Sequence, residues 1–174
     1  DDRAPQFARP EPQSRPDSST PPTEANYNAA EVEELAKNSL DFLAALAMPL
    51  VFRYLFPDLF KSAWNWLVSY VHKERDFSQL ALGLPRGFAK TTFIKIFLLY
   101  VILFTKRTFI LVCANNQDKA NAIVADVMDF LDEPNIRKVF GDWRVGAETD
   151  QQKQKKFGFR GRNINIVAGT VDTV

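Results

Sequence analysis

The chain has 174 residues, of which 46% are hydrophobic and 13% aromatic, enough for one domain with a well-filled core. Lys and Arg total 22 against 21 Asp and Glu, a net charge of +1, so bulk charge gives no argument for nucleic-acid binding and only local patches remain open. The single cysteine, Cys113, excludes a disulfide framework within one chain and fits a reducing cytosol.

Residues 1–25 hold six of the ten prolines, no glycine and one large apolar residue, Phe7. Such a segment cannot bury enough surface to offset its ordering entropy, so it reads as a disordered tail, with a docking arm as the alternative. No charged-then-apolar signal peptide opens the chain. Asp1 is not an initiator methionine, which is consistent with residues before it.

Residues 26–75 read as an N-terminal helical segment. Asn28 with Glu31 forms a capping-box pattern. Val32, Leu35, Ala36, Phe42, Leu43 and Leu46 then recur near helical spacing and predict one helix that stops close to Pro49. A second helix is expected after Pro57, with Asp58 as cap. Leu59, Phe60, Trp64, Leu67, Val68 and Val71 would lie on one broad face, packed in the core or set against a neighbouring subunit. His72 stands alone with no second ligand at metal spacing, and no Cys/His cluster supports zinc.

Residues 76–174 read as β–loop–α–β–α followed by a hairpin. Phe77–Gly83 is a predicted strand and Lys90–Phe104 its helix. The apolar run Phe93–Phe104 contains Lys95 and is well short of the roughly 20 residues a bilayer requires. It predicts a buried helix under a sheet. Thr108–Ala114 is a nearly continuous apolar strand, as expected when both faces are covered, which would bury Cys113 as a small core hydrophobe. Asn115 or Asn116 should cap a helix that turns Ala120, Ile123, Val124, Val127, Met128 and Leu131 inward and ends at Asp132-Glu133-Pro134. A helical turn over Asn135–Phe140 should stop at Gly141. After the polar stretch Glu148–Lys156, the segments Phe157–Arg160 and Asn163–Ala168 predict a hairpin broken at Gly161-Arg162. Alternating strands and helices argue for a parallel sheet flanked by helices.

The residues that point most directly to chemistry are Pro85-Arg86-Gly87-Phe88-Ala89-Lys90-Thr91-Thr92. Strand, tight loop, Lys-Thr and helix is the layout of a phosphate-binding loop. Backbone N–H groups at the helix start face the anion, lysine adds a mobile charge for the outer phosphates, and the next hydroxyl can hold Mg²⁺. In the general pattern G-x-x-x-x-G-K-[ST] the glycines would fall at Leu84 and Ala89, so only Lys90 and Thr91 match and Gly87 is displaced. If the loop requires positive φ at Ala89, alanine costs about 1 kcal/mol relative to glycine. The plain alternative is a turn at Pro85 and Gly87 before a helix that bears a solvated lysine.

This loop resembles the P-R-G-x-[GA]-K-[ST] loop of one branch of the large terminase subunits of tailed bacteriophages. Arg107–Asn115 resembles that family's second strand, with Ala120 on the following helix. Val139-Phe140-Gly141-Asp142-Trp143 resembles its FG…W segment. Gly161–Thr170 resembles the strand before its second acidic motif. Together these span about residues 55–174. The Arg-Gly coupling segment, the acidic second motif and the carboxylate-rich nuclease domain of the family are not in this sequence, which is therefore expected to be the front half of a motor domain.

The resemblance implies an incomplete P-loop NTPase-type parallel sheet with an N-terminal helical extension, and ATP with Mg²⁺ as cofactors. It implies an ATPase that drives double-stranded DNA into a procapsid, as a homo-oligomeric ring with portal protein and small terminase subunit as partners. The setting would be the host cytoplasm, transiently on the portal, with no membrane. Pro85, Arg86, Gly87, Phe88, Ala89, Lys90, Thr91 and Thr92 would bind nucleotide. Arg86 and Lys90 would act on the outer phosphates, and Thr91 would ligate Mg²⁺ through its hydroxyl. Phe77 and Gln79 would lie near adenine. Arg86 has a structural alternative, anchoring the loop to a carboxylate.

Separately, Lys153, Lys155, Lys156, Arg160 and Arg162 cluster with Phe157 and Phe159. That mixture can engage DNA phosphates or stack on bases, or can be a solvated hairpin. Competing readings of the whole are another P-loop ATPase such as a helicase, which would unwind a duplex, and a non-catalytic docking module, since the segment lacks the acid that orients water.

Overall fold

The computed structural model describes residues 28–52, 55–72, 83 and 89–170. The proline-rich tail, most of the predicted strand Phe77–Gly83 and the loop residues Pro85, Arg86, Gly87 and Phe88 lie outside the described residues. The described part is a mixed α/β fold. Its elements are α1 (Ala29–Asn38), α2 (Leu40–Ala47), α3 (Asp58–His72), α4 (Lys90–Phe104), β1 (Phe109–Ala114), α5 (Gln117–Asp132), α6 (Pro134–Phe140), a 3-10 turn (Trp143–Gly146), β2 (Ala147–Asp150), β3 (Gln154–Phe159) and β4 (Arg162–Thr170). None of the described helices is long and apolar enough to cross a membrane.

The predicted first helix is two helices. Asn28 caps α1 by accepting from Ala30 N. Ser39 then stands in extended backbone, ends α1 through its own N–H, and caps α2 by accepting from Phe42 N. A serine hydroxyl can satisfy an orphan helix donor in this way, and the chain uses it to turn. Leu35 and Leu59, both expected inward, are 53% and 54% exposed. α3 begins at Asp58 itself. Its aromatic stripe packs within the domain: the Trp64 ring meets Phe93, Phe97 and Tyr100 edge-on at 5.1–6.1 Å.

The sheet order is β1-β4-β3-β2. β1 and β4 are parallel, whereas β4–β3 and β3–β2 are antiparallel. The expected parallel sheet is thus a mixed one, in which the expected hairpin supplies antiparallel strands. The β3–β4 hairpin forms with Arg160-Gly161 as its two-residue turn, at φ 49° and 73°, one residue earlier than expected. Both turn residues have positive φ, as a primed hairpin turn requires. β2 lies in the stretch expected to be merely polar. Its Glu148 and Asp150 pair with Lys156 and Lys155 of β3, so cross-strand charge stands in for the apolar alternation that strand prediction relies on.

Helices pack on one face of this sheet. Ile110, Val112, Ile164, Ile166 and Ala168 point into it and are buried, and α5 lies across β1 and β4. The opposite face of β1 is open: Phe109 is 58% and Leu111 43% exposed, and Cys113 is exposed. The expectation of a strand covered on both faces, with Cys113 in the core, is overturned. β1 alternates buried and exposed like a strand with one solvated face.

α4 is the centre of the core. Phe93, Ile96, Leu99, Tyr100, Val101, Ile102 and Leu103 are all buried. Its C-terminal carbonyls are held by the hairpin. The Arg162 guanidinium donates to Thr105 O and to Ile102 O, and Arg160 donates to Leu103 O at 3.5 Å and to Glu33 of α1 at 2.5 Å. Burial and the neighbouring Arg160 charge push the Arg162 guanidinium below its usual range.

Two predictions follow from this packing. Arg162→Met leaves two carbonyls without their charged donor and should cost about 2 kcal/mol in urea unfolding; Arg162→Lys should recover little, because only the planar fork reaches both. Second, burial pushes the Tyr100 phenol up to about 12. The unfolded chain loses that proton near the ordinary value of 10.0, so the folded state binds more protons between these values. Stability should fall as pH rises through that window, by up to about 1.4 kcal/mol per unit. Tyr100→Phe should remove this component of the slope.

Candidate phosphate site at the start of the central helix

The link Thr105–Thr108 joins the end of α4 to the start of β1, and Arg162, at the start of β4, binds the end of α4. The N-terminus of α4 is therefore at the opposite edge, with the carboxyl ends of β1 and β4 at Ala114 and Thr170 and the start of α5 at Gln117. In open α/β sheets this is the edge where ligands bind.

Ala89 enters α4 at φ 29° and ψ 32° and offers no side-chain cap. Its carbonyl accepts the first helical bond, from Phe93 N at 3.0 Å. A left-handed alanine is uncommon and strained, and it falls where a phosphate loop has its last glycine. Lys90 is the first helical residue, and the first turn contains no acid. By contrast α1, α2 and α5 each have a capping side chain and an acid in the first turn. Lys90 and Thr92 are half-buried and Thr91 is exposed. The arrangement brings Ala89, Lys90, Thr91 and Thr92 together at one helix start. Arg86, Pro85, Gly87, Phe88, Phe77 and Gln79 lie outside the described residues.

The basic hairpin residues do not form one surface. Lys153 is exposed on the β2–β3 turn. Lys155 pairs with Ile166 and Lys156 with Asn165 in the β3–β4 register, so the two lysines point to opposite faces, and each has an acidic partner. Arg160 and Arg162 are directed at α1 and α4. Phe157 and Phe159, expected to interleave with them, are core residues; Phe157 lies 5.3 Å from Trp143. His72 bonds the Tyr100 hydroxyl through Nε2 at 2.9 Å.

Sequence reading missed a polar pair at the same edge, buried Asn121 with half-buried Gln117. Gln117 Nε2 donates to Asn121 Oδ1 at 2.8 Å and to Ala168 O at 3.0 Å, tying α5 to β4. The signal was the i,i+4 spacing of two amides on a helix whose next residues face the core. Comparison with protein-family models, curated proteins and solved structures finds no match.

Ala89→Gly relieves the left-handed strain and should raise stability by about 1 kcal/mol in thermal or urea unfolding. A destabilised Ala89→Gly protein would contradict the backbone geometry described.

Proposed function

We propose that the α4 N-terminus binds the phosphates of a nucleotide, and that the chain is the ATP-binding front part of a viral DNA-packaging ATPase of the large-terminase kind. The observation that carries this reading is the passage from a left-handed Ala89 directly into a helix headed by Lys90 and Thr91, at the carboxyl edge of the parallel strand pair. Such a helix start presents backbone N–H groups and a positive dipole end to an anion.

The residues fit ATP with Mg²⁺. Lys90 would offset charge on the outer phosphates, and Arg86 would reach the same oxygens. Thr91 would give Mg²⁺ one hydroxyl ligand. Among the described residues no group of three or more His, Cys, Asp or Glu could hold a metal by itself. That suits Mg²⁺, which commonly takes phosphate oxygens and water as its remaining ligands. Bound ATP·Mg²⁺ supplies the phosphoryl chemistry; the described residues bind and orient. In the complete motor, hydrolysis would drive translocation of double-stranded DNA by a ring of subunits on the portal, with the small terminase subunit as partner.

Residues 1–174 alone are expected to bind ATP without turning it over. Lys90→Ala should weaken binding of a fluorescent ATP analogue by at least about tenfold, the loss of roughly one charge-assisted contact. Unchanged affinity in Lys90→Ala would overturn the site. Steady phosphate release by the wild-type segment, abolished in Lys90→Ala, would overturn the expectation of no turnover.

A further inference from the structure

α3 has two apolar faces. Phe60, Trp64 and Leu67 are buried, the first two against Phe93 of α4. Turned by about 100° from them at 3.6 residues per turn, Leu59, Ala63, Trp66 and Tyr70 form a second stripe. Trp66 is 46% exposed, and Leu55, just before the helix, is 73% exposed. The Trp66 and Tyr70 rings lie 5.8 Å apart, which steadies the indole. Between Lys61 and His72 the helix carries no charged residue, and Ser62 and Ser69 flank the stripe. A lone exposed apolar side chain needs no explanation, but an exposed tryptophan in line with two exposed leucines marks an interaction surface.

The dimensions of the stripe select its occupant. From Leu59 to Tyr70 it is about 17 Å long at 1.5 Å per residue, and it is one helix, about 10 Å, wide. That is on the order of 200 Å², against roughly 800 Å² per partner in a stable protein–protein interface. A second copy of the chain would be held weakly by it, whereas a single extended peptide matches its width. The Trp66 indole N–H and the exposed Ser62 hydroxyl set donors beside apolar surface. Polyproline II offers both complements, proline rings for aromatic contact and carbonyls free of internal hydrogen bonds.

The chain itself contains such a segment. In polyproline II, with three residues per turn, Phe7, Pro10, Pro16 and Pro22 fall on one edge. From Pro10 to Pro16 is about 19 Å at 3.1 Å per residue, the length of the stripe. The chain between Pro16 and Asn28, the cap of α1, can extend to roughly 40 Å, against a radius of gyration of about 15 Å for a domain of this size. A tethered segment has an effective concentration on the order of 1 mM, so a weak contact is sufficient.

We propose that the outer face of α3 is a docking site for the proline-rich segment of this chain, residues 10–16. Its prolines would lie on Trp66 and Leu59, and the indole N–H and the Ser62 hydroxyl would donate to its carbonyls. The site is separate from the α4 phosphate site and does not depend on that reading.

The test follows the Trp66 indole N–H signal of the full chain in ¹H–¹⁵N spectra. Pro10→Ser combined with Pro16→Ser should move that signal and leave unmoved the indole of Trp143, which donates to Asp132. A synthetic peptide of residues 7–16 should return the signal of the doubly substituted chain toward its wild-type position. It should bind the wild-type chain at least about tenfold more weakly, because the chain's own segment competes. Trp66→Ala, at an exposed position, should weaken binding of a labelled peptide, read by fluorescence anisotropy, by about tenfold. An unmoved Trp66 signal in the doubly substituted chain would overturn the proposal, as would a peptide that binds both chains alike. A Trp66 signal that shifts with protein concentration in both chains would assign the face to a second copy. One that shifts only with phosphatidylcholine vesicles would assign it to a lipid surface. Either result overturns the proposal.

Discussion

The structure depends on the burial of α4 and on what holds its far end. Its side chains are packed on nearly every side: Phe93 against Phe56, Phe60 and Trp64, and Tyr100 against Trp64 and Phe104. A helix so enclosed cannot slide, and its last carbonyls need donors that water cannot supply. Arg162 and Arg160 supply them. One end of α4 is therefore fixed to the β3–β4 hairpin, and the other end must open at the carboxyl edge of β1 and β4. The position of the candidate phosphate site follows from that geometry.

The same constraint explains the fate of the basic hairpin. In sequence, Lys153, Lys155, Lys156, Arg160 and Arg162 look like one positive patch. In space, a period of two sends Lys155 and Lys156 to opposite faces, and the turn sends both arginines back to helices. Charge that could have faced a partner is spent within the fold, with Lys95 and Asp126 linking α4 to α5 in the same manner.

Much of the architecture was legible in the sequence. The bounds of α4 match the helix expected over Lys90–Phe104, and of the two asparagines offered as the α5 cap, Asn116 takes the role, with Lys119 N at 2.8 Å from Oδ1. Ala120, Val124, Val127, Met128 and Leu131 of α5 are buried as spacing predicts, Ile123 is half-buried, and Asn121 is buried without having been foreseen. What was not legible depended on partners distant in sequence. β2 is too short and polar to announce itself, and it exists because β3 pairs with it. β1 looked buried on both faces because Phe109, Leu111 and Cys113 are apolar, yet among the described residues helices cover the Ile110–Val112 side alone. The break at Ser39 was hidden by an apolar spacing that continues through it.

The candidate site was legible in part. The Lys-Thr step, the helix after it and the possible left-handed strain at Ala89 could all be read from the residues. The measurement that bears most directly on the account is a titration of the chain with ADP and Mg²⁺, following the backbone amides of Lys90, Thr91 and Thr92. Saturable shifts concentrated on those three amides are the predicted result. Binding that leaves them unmoved, or no binding at millimolar nucleotide, would contradict a phosphate site at the start of α4.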